Sequence, residues 1–233
     1  MKLIRNIWLL LMVLLTSSCG ELFNLNVNDA NPPDGVVMSH HDIDIIVGDS
    51  VFFEAKTYPD TAVVSYRWSQ FGETNSGRLV GTWLHAVAPG EFYVKVEAEN
   101  IDLVNDTTFY VSDVCKVNVF DWTQGPDQSD YLYETVVYAS LEIDDEDITD
   151  AIDSLQVVAV VKDEVRTQAD MKDAYGVNYL QFRIGSYWPG EKATLECYHP
   201  GLHQRFVFQE ITLNGDTYGR LSDLVKLVGY SKD

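Results

Sequence analysis

Gly90-Glu91-Phe92-Tyr93-Val94-Lys95-Val96-Glu97-Ala98-Glu99 is the run that decides the fold. Phe92, Val94, Val96 and Ala98 share one parity, and Glu91, Tyr93, Lys95, Glu97 and Glu99 share the other. Successive side chains of a strand point to opposite faces, so this period of two predicts a half-buried strand with one wet face. Pro89-Gly90 supplies the turn before it. The same signature surrounds the run. Val51, Phe53 and Ala55 oppose Phe52, Glu54 and Lys56, while Val64, Tyr66 and Trp68 oppose Ser65, Arg67 and Ser69. With Gly48, Pro59 and Gly90 as punctuation, these short strands predict a small antiparallel β-sandwich over residues 42–113.

Gly48-Asp49-Ser50-Val51, Ser65-Tyr66-Arg67-Trp68, Pro89 to Val94 and Asn105 to Val111 together resemble a polycystic-kidney-disease-type (PKD) immunoglobulin-like domain of bacterial surface proteins. The resemblance implies an Ig-like sandwich with Trp68 in its core, used as a spacer or adhesion unit, and it brings no catalytic residues.

Residues 114–233 repeat the β texture without repeating the sequence. Thr135, Val137, Ala139, Leu141 and Ile143 alternate with Val136, Tyr138, Ser140 and Glu142. Val157 to Val161 is a continuous apolar run suited to a strand covered on both faces. Leu180, Phe182 and Ile184, then Ala193, Leu195 and Cys197, then Phe206, Phe208, Ile211 and Leu213 extend the set, predicting a second sandwich. Asp153, Val157 to Arg166, Tyr179 to Ile184, Gly190-Glu191, Ala193 to Tyr198 and Gly219-Arg220-Leu221 are similar to a module recurrent in surface proteins of Bacteroidota. That resemblance implies architecture and habitat, with no activity attached. The fold class expected is therefore all-β: two consecutive antiparallel Ig-like sandwiches.

Ahead of them, Lys2 and Arg5 precede the apolar run Ile7 to Leu15, which is too short to span a bilayer of roughly 30 Å as a helix. It reads as a secretory signal, residues 1–18. Thr16-Ser17-Ser18-Cys19 resembles the lipobox of bacterial lipoproteins, which implies cleavage after Ser18 and acylation of Cys19. Residues 19–41, rich in Asn, Asp, Pro and Gly, read as a flexible tether.

The chain holds 36 acidic against 16 basic side chains, a net charge of −20. Removal of residues 1–18 takes only Lys2 and Arg5, so the mature chain would be more acidic still. Nucleic acid and anionic lipid are gripped by basic patches, and this composition argues against both as partners. Beyond Cys19 only Cys115 and Cys197 remain. Both share parity with apolar neighbours, which allows either a disulfide in an oxidising compartment or two separately buried thiols.

Candidate chemistry is sparse. His199-Pro200-Gly201-Leu202-His203 has two histidines at helical ligand spacing, but Pro and Gly forbid the helix and fit a type II hairpin turn with both rings exposed. His40 and His41, beside Asp42 and Asp44, carry a weaker metal signal. Asp144, Asp145, Glu146, Asp147 and Asp150 could gather oxygens for Ca2+, yet the glycine and alternation of a calcium loop are missing and the run reads as a solvated turn. No metal or other cofactor is expected. Trp122, Tyr131, Tyr133, Tyr187 and Trp188 fall at predicted strand ends or loops, where aromatic rings can stack on sugars or anchor a protein; Trp122, Tyr187 and Trp188 are the candidate binding aromatics. The alternative is that Trp122 and Trp188 cap the sandwich core.

Asp49-Ser50-Val51, Asp60-Thr61-Ala62, Asp106-Thr107-Thr108 and Asp153-Ser154-Leu155 match the periplasmic O-glycosylation pattern of Bacteroidota, making Ser50, Thr61, Thr107 and Ser154 candidate acceptors. Nucleophile elbows, phosphate loops and zinc-helix motifs are absent from the sequence. The reading is a noncatalytic cell-envelope lipoprotein, at the outer membrane or cell surface, that binds glycan or another surface protein. The alternatives are a structural subunit of an envelope complex or surface appendage, and an enzyme of unrecognised type.

Overall fold

A computed structural model of the chain describes residues 32–62, 64–70, 73–77, 80–102, 106–123, 125, 130–149 and 155–231. Cys19, Asp150 and Ser154 lie outside the described residues. The first strands are β1 (Gly35–Met38), β2 (Asp42–Ile46), β3 (Ser50–Tyr58), β4 (Ser65–Gln70), β5 (Glu73–Gly77) and β6 (Gly81–His85). There follow β7 (Gly90–Asp102), β8 (Thr107–Phe120), β9 (Tyr133–Ile143), β10 (Glu146–Asp147), β11 (Gln156–Val161) and β12 (Glu164–Gln168). The last are β13 (Asp170–Ala174), β14 (Val177–Ser186), β15 (Glu191–His199), β16 (Gln204–Leu213), β17 (Thr217–Tyr218) and β18 (Val225–Gly229).

The protein is all-β, and its strands form four sheets with the orders β1-β3-β6, β2-β8-β7-β4-β5, β12-β11-β15-β16 and β10-β9-β14-β13, with β17 and β18 added on β9. Most pairings are antiparallel. Among the described pairings three are parallel, β2 on β8 and both β17 and β18 on β9. Periodicity cannot foresee these, because alternation fixes a strand's faces and says nothing of its neighbour's direction.

The chain packs as two compact units, with β3, β6, β7 and β8 contributing residues to both. The first unit takes the described residues up to Ser39, Phe53–Thr82 and Lys95–Val114. Its core is the inward parity read from the sequence: Phe53 and Ala55 of β3, Val96 and Ala98 of β7, and Trp68 of β4 are all buried. Val36 and Met38 join them from β1. That strand pairs β3 from Gly35 opposite Tyr58 to Met38 opposite Ala55, inside the stretch expected to be tether. The apolar triplet Val36-Val37-Met38 is enough to hold it there, with Met38 N–H donating to Asp113 Oδ2 at 2.8 Å.

The second unit takes His40–Phe52, Trp83–Val94 and Cys115–Asp233. Its core is closed between two sheet faces. Val137, Ala139, Leu141, Leu180, Phe182, Ile184 and Leu227 point in from β9, β14 and β18. Val157, Ala159, Ala193, Leu195, Cys197, Phe206, Phe208, Ile211 and Leu213 meet them from β11, β15 and β16. Each fully buried Leu or Phe here contributes about 1.5–3 kcal/mol relative to exposure. β11 is buried over Val157, Val158 and Ala159, as its continuous apolar run predicts.

Three hairpins close on two-residue turns whose central residues both have positive φ: Asp144-Asp145, Lys162-Asp163 and Tyr175-Gly176. This is the type I′ geometry that follows the natural strand twist. The acidic run is thus a hairpin turn. Its oxygens are engaged within the protein: Asp144 accepts from Ser231 N–H and Oγ, and Asp147 from Thr149 N–H and Oγ1.

The 199–203 loop also closes a hairpin, between β15 and β16, but not by a type II turn. The left-handed residue is His203 (φ 48), not Gly201. Nor is His203 exposed: it is half-buried, edge-on to His40 at 5.4 Å, and its backbone carbonyl accepts from Asp44 N–H at 2.7 Å. Asp44 is itself buried, accepting from Arg205 N–H and Asn118 Nδ2. The hairpin therefore grips β2.

Cys115 and Cys197 are both buried thiols and are not joined to each other. Cys197 lies within the sandwich core and Cys115 on β8, so the parity that allows a disulfide reflects two separate burials. Burial pushes the Cys197 thiol up to about 12.

Candidate functional site

Arg166 anchors a cluster of charged and aromatic side chains. The two-residue turn Lys162-Asp163 reverses the chain so that Glu164 and Arg166, two apart on β12, share a face. Arg166 is 3% exposed. Its guanidinium stacks on Tyr131 at 4.6 Å and on Tyr187 at 5.0 Å from the ring centroids. Glu164 and Glu191 supply carboxylates at 3.3 and 3.7 Å. A buried cation needs such compensation, because desolvating it alone costs several kcal/mol.

The carboxylates in turn fix the loop. Glu191 Oε2 accepts from Tyr187 N–H at 2.8 Å, and Tyr131 Oη donates to Glu164 Oε1 at 3.0 Å. Burial, reinforced by that hydrogen bond, pushes the Tyr131 phenol up to about 12, so it remains a donor at any physiological pH. Tyr131 packs flat over Gly185 of β14, where a Cβ would stand 2.1 Å from its Cδ2. Only glycine leaves room for the ring.

What this frame holds out to solvent is Trp188, 54% exposed, in the turn between β14 and β15. Its indole lies 6.0 Å from Tyr187, tilted by 34°, and Lys162 Nζ lies 5.5 Å from its centroid. Exposed Leu132 and Tyr133 follow Tyr131 in the chain. The arrangement is an aromatic platform with a cation beside it, suited to stacking and to polar contacts at its rim. It offers no nucleophile with a base beside it.

Of the three candidate aromatics, the structure brings Tyr187 and Trp188 together and leaves Trp122 elsewhere. Trp122 is half-buried and edge-on to Tyr198 at 6.3 Å, beside a cleft of ≈ 210 Å³ lined by Ile46, Val47, Asp121, Thr123 and Gln156. Tyr198, of opposite parity to the core residue Cys197 on the same strand, is nonetheless 1% exposed and donates to Asp49 Oδ2 at 2.8 Å. Arg166, Glu164, Glu191 and Lys162 were not foreseen in any role. The signal available was Glu164-Val165-Arg166, a charged pair flanking an apolar residue on a strand.

A second aromatic group lies on the second unit's parts of β3 and β6. Phe52 and Trp83 rings are 5.2 Å apart, and Trp83 stacks on His85 at 6.4 Å. His85 Nδ1 and Ser50 Oγ share a hydrogen bond of 2.6 Å. In the first unit a groove of ≈ 650 Å³ is lined by Val37, Lys56, Tyr58, Asp60 and Tyr66 among others. Of the candidate glycosylation acceptors, Ser50, Thr61 and Thr107 are exposed. Among the described residues, no group of three or more His, Cys, Asp or Glu is placed to hold a metal ion.

No family model matches the chain, and no curated protein matches it. Among solved structures it is similar to the fibronectin(III)-like modules of Clostridium thermocellum CbhA, with 11% identity and a TM-score of 0.32 over 78% of this chain and 94% of that one. It is also similar to SGBP-B of the Bacteroides ovatus mixed-linkage glucan utilization locus, solved with a mixed-linkage heptasaccharide. There the identity is 10% and the TM-score 0.28, over 80% of this chain and 48% of that one. The chain thus spans about half the length of that protein.

Proposed function

We propose that this chain is a noncatalytic glycan-binding protein of the bacterial envelope, tethered through an acylated Cys19 after removal of residues 1–18. The residues from Gly35 onward supply its two Ig-like modules. The observation that carries the binding reading is Trp188: a half-exposed indole on a loop locked by the Arg166, Glu164 and Glu191 cluster. A large aromatic left in solvent on a pre-organised loop loses little conformational freedom on binding, which favours stacking on a sugar face. Glycan on the ring and polar groups at the rim is the chemistry that such a platform offers.

The test is a glycan array followed by calorimetry on the full mature chain and on Trp188→Ala. Removal of the indole should weaken binding at least tenfold while leaving the far-UV spectrum unchanged. Silence of the wild-type chain on a broad array at high protein concentration would sink the glycan reading and favour a protein partner. The tether is tested separately by fractionating cells expressing Cys19→Ala, which should release the protein from membranes.

A further inference from the structure

We infer that the first unit carries a saccharide site of its own, the groove of ≈ 650 Å³ walled by Tyr58 and Tyr66, and that it takes a short stretch of neutral glycan. The inference rests on the glycan reading for its class of ligand, but not on the Trp188 platform. Every residue lining the groove belongs to the first unit. Small-ligand sites occupy roughly 300–1,000 Å³ and combine apolar walls with a few convergent polar groups, and this groove meets both conditions. Alternation along β3 builds it. Glu54, Lys56 and Tyr58 are exposed between buried Phe53, Ala55 and Thr57, and Val37 of β1 pairs with Lys56 and is exposed beside it. Backbone bonds hold the frame: Ser39 N–H donates to the Glu54 carbonyl at 2.9 Å, Glu54 N–H to Ser39 Oγ at 3.1 Å, and Ala55 N–H to the Val80 carbonyl at 2.8 Å. Tyr66 enters from β4, its Oη 3.5 Å from Thr57 Oγ1. A ligand meets a cleft already formed, which keeps the ordering cost of binding low.

The lining selects the class of ligand. Tyr58, Tyr66, Val37 and Val80 offer apolar surface, and both tyrosines end in a hydroxyl. A pyranose has the matching character, a face of C–H groups edged by hydroxyls. Around the rings, the Ser39 hydroxyl, the Lys56 ammonium and the carboxylates of Glu54 and Asp60 supply donors and acceptors together. Two acids against one base leave the lining net negative in a chain of net charge −20, which disfavours an anion. An uncharged, hydroxyl-rich chain fits both the concave shape and the mixed polarity.

The test is an NMR titration of the isotope-labelled mature chain, as wild type and as Trp188→Ala, with cellohexaose, laminarihexaose, maltohexaose and mannohexaose. In Trp188→Ala at least one of these should still bind and move the backbone resonances of Val37, Lys56, Tyr58 and Asp60. Adding Tyr58→Ala should weaken that binding about fivefold or more, whereas Tyr58→Phe, which keeps the ring, should retain most of it. Tyr58 is 52% exposed, so its truncation leaves the core untouched, and an unchanged Trp68 indole resonance verifies this. If one of these sugars binds the wild-type chain and moves no groove resonance in either chain, the inference falls and the platform reading stands. If the groove resonances move and Trp188→Ala binds as tightly as wild type, the platform reading falls and the groove is the site. Tighter binding of an oligogalacturonate in the groove than of any of the four overturns the assignment to neutral glycan; if no saccharide binds either chain, both readings fall.

Discussion

Gly185→Ala is the change that probes the frame of the platform most directly. Gly185 is buried in β14 between Ile184 and Ser186, both fully buried, and is paired with Glu134 of β9. The strand cannot retreat, so the new methyl must move Tyr131, whose Cδ2, Cγ and Cβ would stand at 2.1, 2.5 and 2.9 Å. Overpacking of this kind costs about 1–3 kcal/mol. Displacing the ring also loses its hydrogen bond to Glu164, about 1.5–3 kcal/mol for a charged acceptor. The expected loss is about 2.5–6 kcal/mol, read by urea unfolding. Tyr131→Ala alone should cost about 3 kcal/mol, the low end for truncating a buried aromatic. In the double variant the methyl meets no ring, so Gly185→Ala should add nothing, and the coupling between the two should reach about 2 kcal/mol or more. Additivity within about 0.5 kcal/mol would refute the reasoning, since it would mean that the clash with Tyr131 is not what glycine prevents.

Three further outcomes are expected. Burial lowers the pKa of both His40 and His203 below the ordinary 6.5, and for His40 the neighbouring His203 and His41 add to this. The unfolded chain then binds more protons, so the stability the pair contributes is present above about pH 6.5 and is lost as pH falls below it. Unfolding at stepped pH should show that slope, and His203→Asn, which suits φ 48, should reduce it. Tyr175 is 99% exposed at φ 57, a backbone state costing an L-residue about 1–2 kcal/mol; Tyr175→Asn should raise stability by about 0.5–1 kcal/mol, and an unchanged denaturation midpoint would count against the strain argument. Cys197, buried and with its thiol pushed up to about 12, should resist maleimide at pH 8 until the chain unfolds, a result read by intact mass.

Much of the fold was legible because alternation is a local signal. Phe53, Val94, Val96 and Ala98 are buried where period two places them, and Trp68 joins the core. What could not be read is what depends on a distant partner. Tyr198 has the parity opposite to Cys197 and is nonetheless buried, donating to Asp49, 149 residues away in sequence. β1 went unread because a three-residue apolar patch among turn formers has no periodicity of its own. The site divides the same way: Tyr187 and Trp188 could be chosen as loop aromatics, whereas the grouping of Arg166 with Tyr131 and Glu191 depends on three separate elements meeting at one end of a sheet. Trp122, chosen on the same grounds as Trp188, has its ring against Tyr198 instead.

The parallel docking of β18 on β9 has a consequence in time. One edge of β9 pairs β14 from Tyr133 to Ala139 and β10 at Glu142 and Ile143, but the other edge from Ala139 to Ile143 waits for Val225 to Gly229, and Asp144 waits for Ser231, 87 residues downstream. Closing so long a loop early is entropically costly, and contacts this distant in sequence slow folding. A chain emerging from its N-terminus therefore keeps β9 unpaired along that edge until its last strand arrives. Leu141, fully buried in the folded protein, lies on that stretch. The order of synthesis thus delays closure of this sheet until the C-terminal strand has been made.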